Sequence, residues 1–172
     1  MILPMSGGYG WVPLDQQHTL LWVPCSSGDP LPRGAVHAGT DKGGDPLYAG
    51  RAFYEGDLLP AKINPRHSTA YVCWGGMEHA LSHFEVRSIT VLCHANVAWQ
   101  TAQGNHIPPN AIVIGATVNG EKLYMGRTLH DGTLTPGKIH PSHGTLYIPY
   151  NGEEVSVTEY EIMIYRPPVT IN

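Results

Sequence analysis

The chain has 172 residues, enough for one domain or two small lobes around a shared core, and only 14% of them are charged. Its net charge of −4 comes with no basic stripe that could track phosphates, which argues against a nucleic-acid partner. No apolar run reaches the ~18 residues of a membrane-spanning helix. Twenty Gly and fifteen Pro interrupt the chain too often for long helices, so an all-β fold of short strands and tight turns is expected.

Residues 1–20 read as a leader with turn signals at Ser6-Gly7-Gly8. Met1 to Val12 lacks the basic and long apolar regions of a secretory signal, so a cytoplasmic location is expected, with unconventional release compatible with it. Strand signals then follow in order. Trp22-Val23 opens a first unit, followed by Ala35–Thr40, Leu47–Tyr54, Leu58–Ile63, Ala70–Trp74 and Phe84–Cys93. Trp99 opens a second, followed by Ala111–Ala116, Leu123–His130, Leu134–Ile139, Leu146–Tyr150 and Tyr160–Tyr165. Asn119-Gly120 between apolar runs is a strong hairpin signal, because both residues tolerate positive φ. Pro60 and Pro136 make their strands edges or bends. Arg166-Pro167-Pro168 ends regular structure.

The two units are copies of one another. Gly50-Arg51 and Gly126-Arg127 differ by 126 − 50 = 76 positions, and the same offset maps Lys62 onto Lys138 and Glu78 onto Glu154. Residues 35–86 and 111–162 align without gaps at 19 identities in 52 positions. The expected organisation is therefore a leader (1–20), a first repeat (21–86), a connector (87–96), a second repeat (97–165) and a tail (166–172). A unit this small has a thin core, so the copies are expected to pack on or exchange strands with each other as a pseudo-two-fold body.

Asp41, Asp57 and Lys62 lie within about 20 residues beside turns. Carboxylates that accept and an ammonium that donates suit the vicinal hydroxyls of a sugar, although an exposed ion pair at loop tips has the same spacing. Lys62 recurs as Lys138, whereas Asp41 becomes Thr117 and Asp57 becomes Thr133. An acid needed for folding should recur, so its loss points to an asymmetric site in the first copy. A weaker second site would use Lys138, Thr117 and Glu121, with Asp131 a further candidate acid there. Arg51, Glu78 and Glu85 recur as Arg127, Glu154 and Glu161, and read as structural ion pairs. Removing Asp41 or Lys62 should then weaken binding and leave folding intact.

Other chemistry lacks an anchor. His79/His83 and His140/His143 have ligand-like spacing, but no helix is expected beneath either pair, and no metal is expected. There is no Gly-x-Ser-x-Gly, Cys–His couple or phosphate loop, so neither an enzyme nor a cofactor is expected. Cys25, Cys73 and Cys93 have no motif spacing and read as reduced thiols.

Leu47-Tyr48-Ala49-Gly50-Arg51, the run Gly56 to His67 (Gly-x-Leu-x-Pro-x-Lys-Ile-x-Pro-x-His), Ala70 to His79 and Phe84-Glu85-Val86 together resemble the DM9 repeat family. The second copy resembles it through Leu123–Arg127, Pro136–Ile139 and Tyr160–Ile162. The resemblance implies an intertwined antiparallel β fold, a mannose-type lectin acting on glycans or microbes, and a homodimer. It also implies sugar contacts from Asp41 and Lys62, while Thr117 departs from the pattern in the second copy. An infection-response adaptor that binds protein or lipid head groups at vesicles or membranes is the alternative.

Overall fold

The computed structural model describes residues 2–4, 11–13, 20–26, 28–81 and 89–167. Within them the chain is all-β. Strands β1 (Ile2–Pro4) and β2 (Trp11–Pro13) pair separately from the rest. The first copy forms β3 (Leu21–Pro24), β4 (His37–Thr40), β5 (Pro46–Tyr54), β6 (Asp57–Asn64), β7 (Thr69–Trp74), β8 (Met77–Leu81) and β9 (Ile89–Cys93). The second forms β10 (Val97–Gln103), β11 (Val113–Ala116), β12 (Lys122–His130), β13 (Thr133–His140), β14 (Thr145–Tyr150), β15 (Glu153–Val157) and β16 (Glu159–Tyr165). The sequence reading missed β8 and β15, whose alternation is broken by Glu and His. The stretch read as a connector, 87–96, carries the whole of β9.

Four hairpins turn on two residues: Glu55-Gly56, Gly75-Gly76, Asp131-Gly132 and Asn151-Gly152, all at positive φ. Paired positive φ matches the twist of the flanking strands, which is why each loop ends in glycine. Asn119-Gly120 behaves differently. Only Gly120 is at positive φ, and the loop closes between the Thr117 N–H and the Glu121 carbonyl.

The copies are intertwined. β4 pairs with β13 at Thr40 and Leu134, β11 with β6 at Ala116 and Leu58, and β8 with β15 at Met77 and Glu153. The order β12–β11–β6–β7–β8–β15–β14–β13 returns to β12 and closes an eight-strand barrel. The proline expectation is corrected here, because β6 and β13 are interior strands. Pro60 falls between Leu58, which faces β11, and Lys62, which faces β7; Pro136 falls between Leu134 and Lys138 in the same way. Each proline thus sits where one flank changes partner and no N–H is called for. At the crossings the backbones nearly touch. A Cβ on Gly39 would lie 2.0 Å from the Leu134 carbonyl oxygen, and one on Gly115 1.9 Å from that of Leu58.

The core reflects the exchange. Val36, Ala38, Ala49 and Leu92 of the first copy pack with Ile112, Ile114, Met125 and Met163 of the second, between one cluster belonging mainly to each copy. The ungapped offset holds only through β8 and β15. Beyond them Gly50 faces Val91 while Gly126 faces Ile162, an offset of 162 − 91 = 71.

Candidate functional site

The register of β6 against β7 brings Lys62 opposite Tyr71, and the closure of the barrel lays β8 and β14 alongside. Lys62 is buried. Its Nζ donates to the Pro149 carbonyl at 2.6 Å and lies 3.7 Å from Glu78 Oε2. The rings of Tyr71 and Tyr150 stand 5.1 and 5.9 Å from that ammonium. Burial lowers the Lys62 pKa, and the charges of Glu78 and Asp41 partly restore it.

Asp41 closes the outer side. It accepts from Asn64 Nδ2 at 2.9 Å and from the Lys42 N–H at 2.9 Å. The Asn64 oxygen in turn caps the 3₁₀ turn Pro65–His67, accepting from the Arg66 and His67 N–H groups, so the turn holds the acid's partner in place. His67 and the Tyr71 hydroxyl hydrogen-bond at 2.9 Å. The opposite wall comes from the second copy: the Tyr150 hydroxyl donates to Asp131 Oδ2 at 2.6 Å, and Lys42 Nζ lies 3.4 Å from the same oxygen. The result is a buried cation roofed by carboxylates between two aromatic rings, a set of groups able to donate to and accept from a polyol.

A related site surrounds Lys138. Its Nζ donates to the Cys73 carbonyl at 2.9 Å and lies 3.5 Å from Glu154, and the Tyr147 ring is 5.4 Å away. Beside it opens a cleft lined by Glu55, Asp57, Trp74, Thr117, Glu121 and His140, among others. Glu121 accepts from the Ser142 N–H at 3.0 Å and faces His140 Nε2 at 3.4 Å. Burial lowers the His140 pKa, the stacked His143 ring 3.7 Å away adds to this, and Glu121 opposes it. The sites are reciprocally built, because Gly152 N–H donates to Glu78 at 3.1 Å and Gly76 N–H to Glu154 at 2.5 Å.

This geometry redistributes the sequence candidates. Asp41 and Lys62 belong to one site. Asp57 does not join them: its Oδ1 accepts from the Val118 N–H at 2.8 Å, which puts it in the second cleft. Asp131 makes the converse exchange into the first site. Both acids sit on hairpins that reach across the barrel, so proximity in sequence misassigns them. Thr117 and Glu121 share the second cleft, where the Glu121 N–H donates to Thr117 Oγ1 at 3.1 Å, and Lys138 lies close enough to the His140 of its lining to lower that pKa. Thr133, by contrast, is buried against Thr135.

Glu78 and Glu154 pair with the lysines, not with Arg51 and Arg127. The joint recurrence of Lys and Glu in both copies was the signal for this. Arg127 pairs with Glu161 at 3.0 Å and covers the Trp99 ring at 4.1 Å. Arg51 covers Trp22 at 3.9 Å and donates to the Ile114 carbonyl; its ladder partner is Thr90 where Arg127 has Glu161. Glu85 lies outside the described residues, as does His83. Cys25, Cys73 and Cys93 are free thiols. No described helix is long and apolar enough to cross a membrane.

A profile of the DM9 repeat matches residues 41–157. Natterin-3 of Thalassophryne nattereri is 29% identical over 74 residues, which are 43% of this chain and 18% of that protein. The nematode sperm cell motility protein MFP2B has the same fold at a TM-score of 0.64 and 16% identity, over 94% of this chain and 51% of that one. The chain thus spans about half of the structure it matches and less than a fifth of the curated relative.

Proposed function

Because the chain belongs to the DM9 repeat family, we propose that it is a non-catalytic carbohydrate-binding protein of the mannose type, acting in recognition of glycans or microbes. The observation that carries this reading is the buried Lys62–Glu78 pair beneath Asp41, flanked by the rings of Tyr71 and Tyr150. Asp41 accepts from two adjacent sugar hydroxyls, Lys62 donates to a ring or hydroxyl oxygen, and an aromatic face covers the apolar side of the pyranose. On this reading the ligand is held and released unchanged. With one such site per chain, agglutination requires an oligomer, most simply a two-fold dimer.

The test is a glycan array followed by calorimetric titration with mannose. The expected result is saturable binding to mannose-terminated glycans, inhibited by free mannose, with no turnover. Binding to proteins or lipid head groups that free mannose leaves untouched would replace this reading with an adaptor role.

A further inference from the structure

The second cleft keeps two carboxylate positions of the first site, has Thr117 in place of Asp41, and loses the two exposed cations Lys42 and Arg66. Around the first site stand Asp41, Asp45 and Asp131, with Lys42 3.4 Å from Asp131 and Arg66 3.1 Å from Asp45. Under the 76-residue offset, Asp131 corresponds to Glu55 and Asp45 to Glu121, so both acids remain. Lys42, however, becomes Val118 and Arg66 becomes Ser142. Asp57 adds a third carboxylate where the first site has the buried Thr133. The lining of the second cleft therefore holds three carboxylates and no lysine or arginine. The neighbouring Lys138 is already matched by Glu154.

The aromatic wall changes in the same direction. Tyr150 of the first site, tied to Asp131 through its hydroxyl, is replaced in the second by Trp74. This indole is exposed, yet it is braced edge-on by Tyr54 at 5.9 Å and by His79 at 6.5 Å. Tyr54 and His79 are themselves stacked and hydrogen-bonded at 3.0 Å. Tryptophan offers the strongest face for a cation and a wide one for the C–H face of a pyranose. Among the described residues no three His, Cys, Asp or Glu side chains are grouped as a metal site would require.

We propose that the second cleft binds a pyranose carrying a protonated amine, as in an oligosaccharide of de-N-acetylated hexosamine, with the ring on Trp74 and the ammonium among Glu55, Asp57 and Glu121. That the ligand is a sugar rests on the carbohydrate-binding reading above; that it is cationic rests on the charges of the cleft. The first site and the second would then read different sugars on one chain.

The experiment is titration calorimetry of the full chain at low ionic strength with a glucosamine tetramer, its N-acetylated counterpart and mannose. The amine-bearing tetramer is expected to bind, and the acetylated one about tenfold more weakly, since charged hydrogen bonds are roughly twice as strong as neutral ones. Val118→Lys restores the cation of the first site at an exposed position where folding is not at risk. It should weaken tetramer binding about tenfold while mannose binding is unchanged. Trp74→Ala, checked for folding by circular dichroism, should weaken it similarly. Equal binding of the acetylated tetramer, or amine binding unaffected by Val118→Lys, overturns the proposal, as does displacement by trilysine at equal concentration. If the wild-type chain binds the amine but not mannose, the mannose reading falls and this one stands. Mannose binding without amine binding has the opposite meaning.

Discussion

Replacing Glu78 by glutamine isolates the electrostatics of the first site. Glutamine keeps an oxygen for the Gly152 N–H but removes the charge 3.7 Å from Lys62. At an effective dielectric of about 20, unit charges at that separation attract by roughly 4.5 kcal/mol. The side chains of Lys62 and Glu78 are 10% and 13% exposed, so water screens them little. Part of the attraction merely offsets the cost of removing Glu78 itself from water, which leaves an expected loss of about 2–3 kcal/mol at pH 7. For an m-value of about 1–3 kcal/mol/M, this moves the urea midpoint down by roughly 0.7–3 M.

The pH dependence is the sharper test. Burial already lowers the Lys62 pKa in the folded protein, so the unfolded chain holds that proton to higher pH. Stability contributed by this group therefore rises with pH between the lowered folded value and 10.5. In Glu78→Gln the folded value falls further, and the deficit against wild type should shrink as pH rises and Lys62 becomes neutral in both proteins. Urea unfolding of both proteins at pH 7 and pH 10 measures it. Equal stability at pH 7, or a deficit that does not shrink toward pH 10, would refute the claim that a desolvated ammonium depends on Glu78.

Asp41→Ala should weaken mannose binding by about ten- to a hundredfold, since a charged hydrogen bond contributes roughly 1.5–3 kcal/mol, and should shift the urea midpoint little. Calorimetry beside unfolding checks both parts. Mannose affinity should also fall on the alkaline side with a midpoint below 10.5, as the Lys62 ammonium loses its proton; a midpoint at or above that value counts against Lys62 as the donor. His140 has a folded pKa below 6.5, so the stability it contributes is present above that pH and lost as pH falls through the folded value. His140→Asn should lose less stability than wild type between pH 6.5 and acid, read from urea midpoints. Gly39→Ala should cost more than about 3 kcal/mol, because the new Cβ meets a backbone oxygen of the other copy that cannot move aside, and thermal unfolding would show it.

Much of this protein was legible in one dimension. The offset of 76 revealed the duplication, the glycine-ended turns bounded the strands, and the recurrence of Lys62 as Lys138 against the loss of Asp41 singled out an asymmetric position. These are local properties: a two-residue loop at positive φ needs glycine wherever it lies, and a copied unit keeps what its own fold requires. The register shift after β8 was hidden, because a chance ungapped match at Glu85 and Glu161 masked an offset that only the ladder facing Gly50 and Gly126 reveals.

Site membership belonged to the tertiary structure alone. Asp57 is five residues from Lys62 and Asp131 seven from Lys138, yet Asp57 accepts from the Val118 N–H in the second cleft and Asp131 from the Tyr150 hydroxyl in the first site. The cause is the pairing of β11 with β6 and of β8 with β15 between copies, which closes the barrel and brings each hairpin beside the other copy's site. A pattern read along the chain records which side chains a copy possesses. Which cleft they enter depends on pairings between residues 58 to 94 positions apart, and those are settled by closing one barrel from two units too small to bury a core alone.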